Sequence, residues 1–150
     1  MGRIEISTEI KAPIENVFAF LADPKNFEDI MPEDAAVRVE MLSKGPFGVG
    51  TTYRLSGVLA GRKMAVENEY VEFEENRRIV ERQTKGDMKS YRGTWAFEAT
   101  KKGTTLKQTM NYELPYSVLG KIIDRLKAGK EFQAFMKAGT ERAKEILEKG

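Results

Sequence analysis

From Ala36 to Leu114 apolar residues recur at every second position, interrupted only by short glycine-bearing loops. Period two is the mark of a strand with one buried face. The alternation divides into runs near Ala36–Ser43, Thr51–Ala60, Arg62–Phe73, Arg78–Lys85, Met88–Thr100 and Thr104–Leu114. Connections such as Ala60-Gly61, Lys85-Gly86-Asp87 and Lys102-Gly103 leave room only for antiparallel neighbours. A sheet of this many strands twists and curls, and one of its faces must be covered by something else in the chain.

The flanking segments supply the cover. "RIEISTEIKA" alternates through Ile4, Ile6 and Thr8 and adds a first strand. Pro13 suits the first position of a helix, where its missing N–H costs nothing, and Glu15 suits the positive first turn. Ile14, Val17, Phe18 and Leu21 then share one helical face. Asp23-Pro24 repeats the device as N-cap and first helical residue, Phe27, Ile30 and Met31 form a second short apolar face, and Pro32 ends it. From Val118 the period is helical to the end, with Leu126, Phe132, Phe135, Met136, Ala143, Ile146 and Leu147 on one stripe. The expectation is an α+β domain spanning residues 1–150: a seven-stranded curved antiparallel sheet wrapped around a long C-terminal helix, with two short helices between strands 1 and 2. A straight helix does not fill a strongly curved sheet, so a cavity should lie between them. Gly129 and Gly139 interrupt the helix's apolar stripe, which makes room for a ligand or permits close approach to the sheet.

Composition removes several classes of chemistry. The chain has no histidine and no cysteine. Ser-His-Asp and Cys-His catalysis, disulfides and His- or Cys-ligated metals are therefore excluded, and acid–base work falls to Asp, Glu, Lys, Tyr, Ser and Thr. A net charge of +2 is too small for a nucleic-acid footprint. No apolar run approaches the roughly 18 residues needed to span a bilayer, so no stable membrane insertion is expected. The N-terminus lacks a signal-peptide pattern, and a cytoplasmic location is the expectation. No cofactor is implied. The glycine-rich "KGPFGVGT" lacks a G-K-[ST] ending and lies between strands, so it reads as a hairpin loop, with Phe47 and Val49 at its tip, and not as a phosphate cradle.

The pattern "I-x-A-P-x-x-x-V-F-x-x-L-x-D-P" followed by "I-M-P", Ile10 to Pro32, resembles the SRPBCC or START-like superfamily, and its polyketide cyclase/dehydrase-like branch in particular. The similarity continues through "GVGTTY", "RGTWAFE", "GTTLKQTMNYE" and "LGKIIDRL" and so covers nearly the whole chain. The resemblance implies a helix-grip fold whose cavity takes hydrophobic or amphipathic small molecules such as lipids, sterols, polyketides or quinones. It implies no single activity, because a fold hosts many.

Alternation sorts the candidate site residues. Tyr53, Leu55 and Leu59 share a face, as do Tyr91, Trp95 and Phe97, and Leu106, Met110, Tyr112 and Leu114. Arg54, Arg92, Glu98, Lys107 and Glu113 take the opposite, solvated faces. For Tyr53, Trp95 and Phe97 the alternatives are core packing and direct ligand contact. Gln108 interrupts an apolar face between Leu106 and Met110, where an unpaired buried amide costs about 1–3 kcal/mol, so a neighbour, a water or a ligand must satisfy it. Asn68, between Val66 and Tyr70, raises the same question. In "RIVERQTK" either face brings an ionisable residue inward, and the basic outer faces of the neighbours favour Glu81. A desolvated Glu81 would have a raised pKa and serve as a general base or ligand anchor.

The leading expectation is a module that binds or transports an apolar or amphipathic small molecule, with Tyr53, Leu55, Asn68, Tyr91, Trp95, Phe97, Gln108, Met110, Leu126 and Phe132 as its wall. The first alternative is a cofactor-independent cyclase or dehydratase in which Glu81 moves protons while Tyr91 or Gln108 polarises a carbonyl. A third is an interaction protein whose cavity is filled by its own side chains. An exposed edge strand after Pro32 would allow a homodimer, and nothing in the residues requires one over a monomer.

Overall fold

The computed structural model describes residues 2–59, 61–114 and 122–150. Strand β1 (Gly2–Ile10) leads into helix α1 (Ile14–Ala22), a 3₁₀ turn (Pro24–Asn26) and the single-turn helix α2 (Phe27–Ile30). Strands β2 (Arg38–Met41), β3 (Thr52–Leu59), β4 (Arg62–Glu74), β5 (Arg78–Gly86), β6 (Ser90–Thr100) and β7 (Gly103–Glu113) follow, and helix α3 (Ile122–Lys149) closes the chain. The strands form one antiparallel sheet in the order β1-β7-β6-β5-β4-β3-β2, so the first strand pairs with the last and every other pair is a hairpin. This is the helix-grip architecture, a curved sheet around one long helix. The expected start of α3 at Val118 lies outside the described residues. Among those described, no helix is long and apolar enough to cross a membrane.

Local chemistry accounts for the brace between β1 and β2. Asp23 accepts a hydrogen bond from the Lys25 backbone N–H at 3.0 Å while Pro24 opens the 3₁₀ turn, the arrangement read from Asp-Pro. Pro13 differs from expectation: with ψ at 145° it occupies the N-cap of α1 and not its first helical position. Pro32 likewise leads into a further 3₁₀ turn, Glu33–Ala35. Ala36 then adopts a left-handed φ of 47°, which delays pairing until Arg38 and leaves β2 half the expected length. A short edge strand limits pairing with other chains.

Four ties hold the helices to the sheet. Val17, Phe18 and Leu21 of α1 are buried, and Phe18 meets Phe73 and Phe97 edge to face at 5.2 and 5.0 Å. The Tyr70 hydroxyl donates to the Ala22 carbonyl at 2.9 Å. The Glu28 carboxylate accepts from Val39 N–H at 2.7 Å while Lys25 Nζ donates to the Val39 carbonyl at 2.9 Å, fastening α2 to edge strand β2. The far end of α3 is secured to the end of β1, where Lys11 N–H donates to Glu148 at 2.8 Å and Lys144 Nζ to the Glu9 carbonyl at 2.6 Å.

The two helix glycines mark close approach. A Cβ on Gly129 would stand 3.0 Å from the Tyr112 hydroxyl, and one on Gly139 would stand 3.1 Å from Met31 Sδ. On the convex face, charges pair across strands in solvent, as in Arg54–Glu67, Arg82–Glu69 and Arg78–Glu72. Such pairs add little stability and keep that face wet.

Phe18 is the side chain that joins the brace to the sheet. Phe18→Ala should lower unfolding stability by about 3–5 kcal/mol, the usual cost of a large aromatic removed from a core, measured as a shift in urea midpoint with unchanged m-value.

Candidate functional site

The concave face of the sheet and the inner face of α3 enclose a cavity of about 150 Å³. One apolar cluster, gathered around α1 and α2, bounds it at one end, and a second, containing Met64, Met88, Tyr112 and Phe132, bounds it at the other. Its walls are mostly apolar, with a Gln108–Thr140 pair between β7 and α3 and a polar cluster on the middle strands.

That group centres on Glu81 of β5, the fourth strand of seven. Glu81 is 2% exposed. On β3, the Tyr53 hydroxyl donates a short hydrogen bond to Oε1; on β6, the Tyr91 hydroxyl donates to Oε2 at 2.6 Å. Asn68 of β4 lies beside them, its Nδ2 donating to Tyr53 Oη at 3.2 Å and reaching Oε2 at 3.5 Å. The four side chains come from four consecutive strands, and the register explains why they meet. Tyr53 is opposite Asn68, and Glu81 stands between Tyr70 on one side and Gly93 on the other. Between the ladder irregularities at Glu67/Asn68 and Tyr70/Glu72 the pairing is regular, with Asn68 opposite Gln83 and Tyr70 opposite Glu81, so Asn68 and Glu81 share a face.

Gly93 is the site residue that sequence reasoning missed. A Cβ there would overlap the Tyr91 hydroxyl and sit 3.5 Å from Glu81 Cγ. Only glycine lets the Tyr91 ring lie back along its own strand to reach the carboxyl. The available signal was a glycine inside a strand pattern, which points to close approach by a neighbouring group.

Burial dominates the electrostatics. It pushes the Glu81 carboxyl up to about 7, while the hydrogen bonds from Tyr53 and Tyr91 act in the opposite direction by favouring the carboxylate. Burial, with the adjacent Glu81 charge, also raises the phenols of Tyr53 and Tyr91 well above their ordinary range, so both remain protonated donors. Among the described cavity-lining residues, Glu81 is the only carboxyl and there is no lysine or arginine.

Most of the predicted wall lies on this cavity: Tyr53, Leu55, Asn68, Tyr91, Trp95, Gln108, Met110 and Phe132 all line it. Two predicted residues do not. Phe97 shares the face of Tyr91 and Trp95 but sits farther along β6, beneath α1 and against Phe18, where it is core. Leu126 is 64% exposed, because the apolar stripe of α3 that meets the sheet there runs through Ala128 and Phe132 instead. Gln108 is satisfied by a neighbour: its Nε2 donates to Thr140 Oγ1 at 2.6 Å, which donates to the Met136 carbonyl at 2.8 Å. The proton that Tyr91 would offer a substrate carbonyl is thus engaged, as is one of the two on Gln108 Nε2. Phe47 and Val49 of the glycine loop are exposed. Among the described residues no cluster of three metal-ligating side chains occurs.

Residues 1–148 match the family model for polyketide cyclase / dehydrase and lipid transport. The chain belongs to that family. Its membership agrees with the SRPBCC-type resemblance of the Ile10–Pro32 segment. Among solved structures, this family member is similar to TTHA0849 from Thermus thermophilus, at 24% identity over 95% of this chain and 97% of that one, with a TM-score of 0.76. It is also similar to the Zhui aromatase/cyclase from Streptomyces sp. R1128, at 20% identity over 99% and 92% with a TM-score of 0.72. Major latex-like protein 151 from Panax ginseng shares 16% identity over 97% of each chain, with a TM-score of 0.71. At these identities the likeness establishes the fold. No curated protein matches the sequence.

The raised pKa has a stability consequence whose sign is definite. In the unfolded chain Glu81 titrates near 4.5, and in the folded protein near 7. The folded state therefore holds the extra proton between these values, and the advantage, complete below about 4.5, disappears as pH rises through about 7. Urea unfolding of wild type and Glu81→Gln across this window should show wild type losing on the order of 3 kcal/mol relative to the variant as pH rises.

Proposed function

We propose that this domain binds an apolar or amphipathic small molecule between sheet and helix, its polar end at the Glu81 cluster. The observation that carries the reading is the cavity itself: most of its wall is hydrocarbon, and its polar groups are few, gathered mainly around Glu81. Ligand sites combine a large apolar surface with a few fixed polar groups in this way. Family membership supports a ligand-binding or cyclase-like role, and the carrier reading requires only the cavity. The interaction-protein alternative, which requires a filled interior, has less support because space remains beside α3.

Native mass spectrometry of the purified protein tests this reading. A co-purifying apolar molecule should appear as a discrete mass increment in wild type and be absent from Met110→Trp, whose larger side chain occupies the cavity. Identical apo masses, together with no change in Trp95 fluorescence on adding small hydrocarbons, would count against it.

One observation favours a second reading, an enzyme that transfers protons. A carboxyl titrating near 7 in a water-poor cavity is matched to general-base work at neutral pH. Glu81 would take a proton from a bound substrate, with Tyr53 and Tyr91 stabilising its charged form. With the Tyr91 hydroxyl engaged by Glu81, carbonyl polarisation by Tyr91 would need that hydrogen bond to rearrange, whereas Gln108 keeps a second amide N–H. On this reading kcat rises with pH to a plateau above about 7, and Glu81→Gln lowers it by roughly 10²–10⁴-fold without loss of fold. Steady-state kinetics over pH, with circular dichroism of the variant, makes the check.

A further inference from the structure

The cavity has a second polar place, apart from Glu81. Gln108 of β7 donates from Nε2 to Thr140 Oγ1 at 2.6 Å, and Thr140 donates its own proton to the Met136 carbonyl, one turn back in α3, at 2.8 Å. Thr140 can therefore only accept from Gln108, which fixes the amide with its nitrogen toward the helix. An amide nitrogen carries two protons, and Thr140 takes one of them. The other has no acceptor among the described residues, and Gln108 is part-buried on the cavity wall.

The strand register separates this amide from the carboxyl. Glu81 stands opposite Gly93, Gly93 opposite Met110, and Gln108 lies two residues from Met110 on β7. Two strand spacings and two residues along the strand put the Cα atoms of Glu81 and Gln108 about 12 Å apart, with Met110 and Trp95 on either side of the line between them. The donors of the Glu81 cluster are engaged within it: Tyr53 and Tyr91 donate to the carboxyl, and Asn68 Nδ2 to Tyr53. Thr94 and Thr109 also border the cavity, but alternation turns their side chains to the other face of the sheet from Trp95 and Gln108. Trp95 is the cross-strand partner of Gln108, and its indole N–H likewise has no acceptor among the described residues.

This stretch of wall thus lacks acceptors. An N–H facing hydrocarbon is costly, and a ligand that brings an acceptor in place of water recovers that cost. Gln108 Oε1 is left as well, so an amide, with an N–H beside its carbonyl, can serve both atoms, whereas a hydrocarbon serves neither.

We propose that Gln108, positioned by Thr140, anchors a ligand carbonyl of ketone, ester or amide type through its free N–H, at a place distinct from the Glu81 cluster. The proposal rests on the ligand-binding reading above and adds the chemical class of the ligand, which carries this carbonyl in addition to whatever it presents to Glu81.

Propylbenzene and propiophenone differ only in a methylene replaced by a carbonyl, so the pair tests the anchor directly. Isothermal titration calorimetry on wild type and Gln108→Leu gives the ketone-to-hydrocarbon affinity ratio in each protein, and propylbenzene alone reports whether the cavity survives the substitution. The ratio should fall about tenfold in Gln108→Leu, the usual effect of losing one hydrogen bond to a group out of water, while propylbenzene affinity changes little. Thr140→Val, which leaves the amide without its holder, should lower the ratio too. In infrared spectra of carbonyl-labelled propiophenone, the bound ketone should absorb at lower frequency in wild type than in Gln108→Leu. An unchanged ratio with both compounds bound overturns the anchor and leaves the ligand-binding reading standing, as does a carbonyl frequency that is the same in the two proteins. If neither compound binds wild type, the anchor falls together with the reading it rests on. Should Gln108→Leu not fold, the wild-type spectrum decides: a carbonyl frequency equal to that in a hydrocarbon solvent overturns the proposal.

Discussion

A straight helix laid in a curved sheet leaves space, and the rest of this molecule follows from how that space is bounded. Helix α3 approaches its neighbours closely where its residues are small: Gly129 against Tyr112 of the sheet, and Gly139 against Met31 of the brace. Between those contacts the sheet curves away. Apolar walls make this gap tolerable, since an apolar cavity need not hold water, but a charged group facing it must be neutralised or held by hydrogen bonds.

Glu81 meets that requirement by borrowing from its neighbours. Two phenols and an amide are drawn from β3, β4 and β6 to a carboxyl on β5, so the polar cluster also crosses the centre of the sheet. Its energetics are balanced between burial, which favours the neutral acid, and donor bonds, which favour the anion. The balance falls near neutral pH. A structural ion-pair network would show a basic partner here, and none lines the cavity among the described residues. Costly buried groups of this kind concentrate at functional sites, which is why the proposed ligand-binding role is assigned to this cluster.

The brace has the complementary role. Its helices are too short to persist alone. They depend on Phe18 inserted between Phe73 and Phe97, on Tyr70 reaching the Ala22 carbonyl, and on the Glu28–Lys25 latch at β2. Leu21, Phe27, Ile30 and Met31 then present the inner surface of this brace to the cavity. The segment with the most recognisable sequence thus forms one apolar end of the site, while its titratable chemistry lies on the middle strands.

The sequence by itself determined the order of elements along the chain, the Pro-bounded helices, the absence of histidine and cysteine chemistry, and the inward face of strands such as Thr52–Leu59. These properties are local: alternation, capping and composition are written residue by residue. It also suggested Glu81 as inward, from the basic outer faces of its neighbours. Only the tertiary structure decided that Tyr53, Asn68 and Tyr91 converge on Glu81, because that depends on cross-strand register and a glycine at 93. Phe97 and Leu126 show the same limit from the other side. A shared face says which way a side chain points, but distance along the strand put Phe97 under α1, and the rotation of α3 about its axis left Leu126 in water. Both are set by how elements pack against one another, which no single segment encodes.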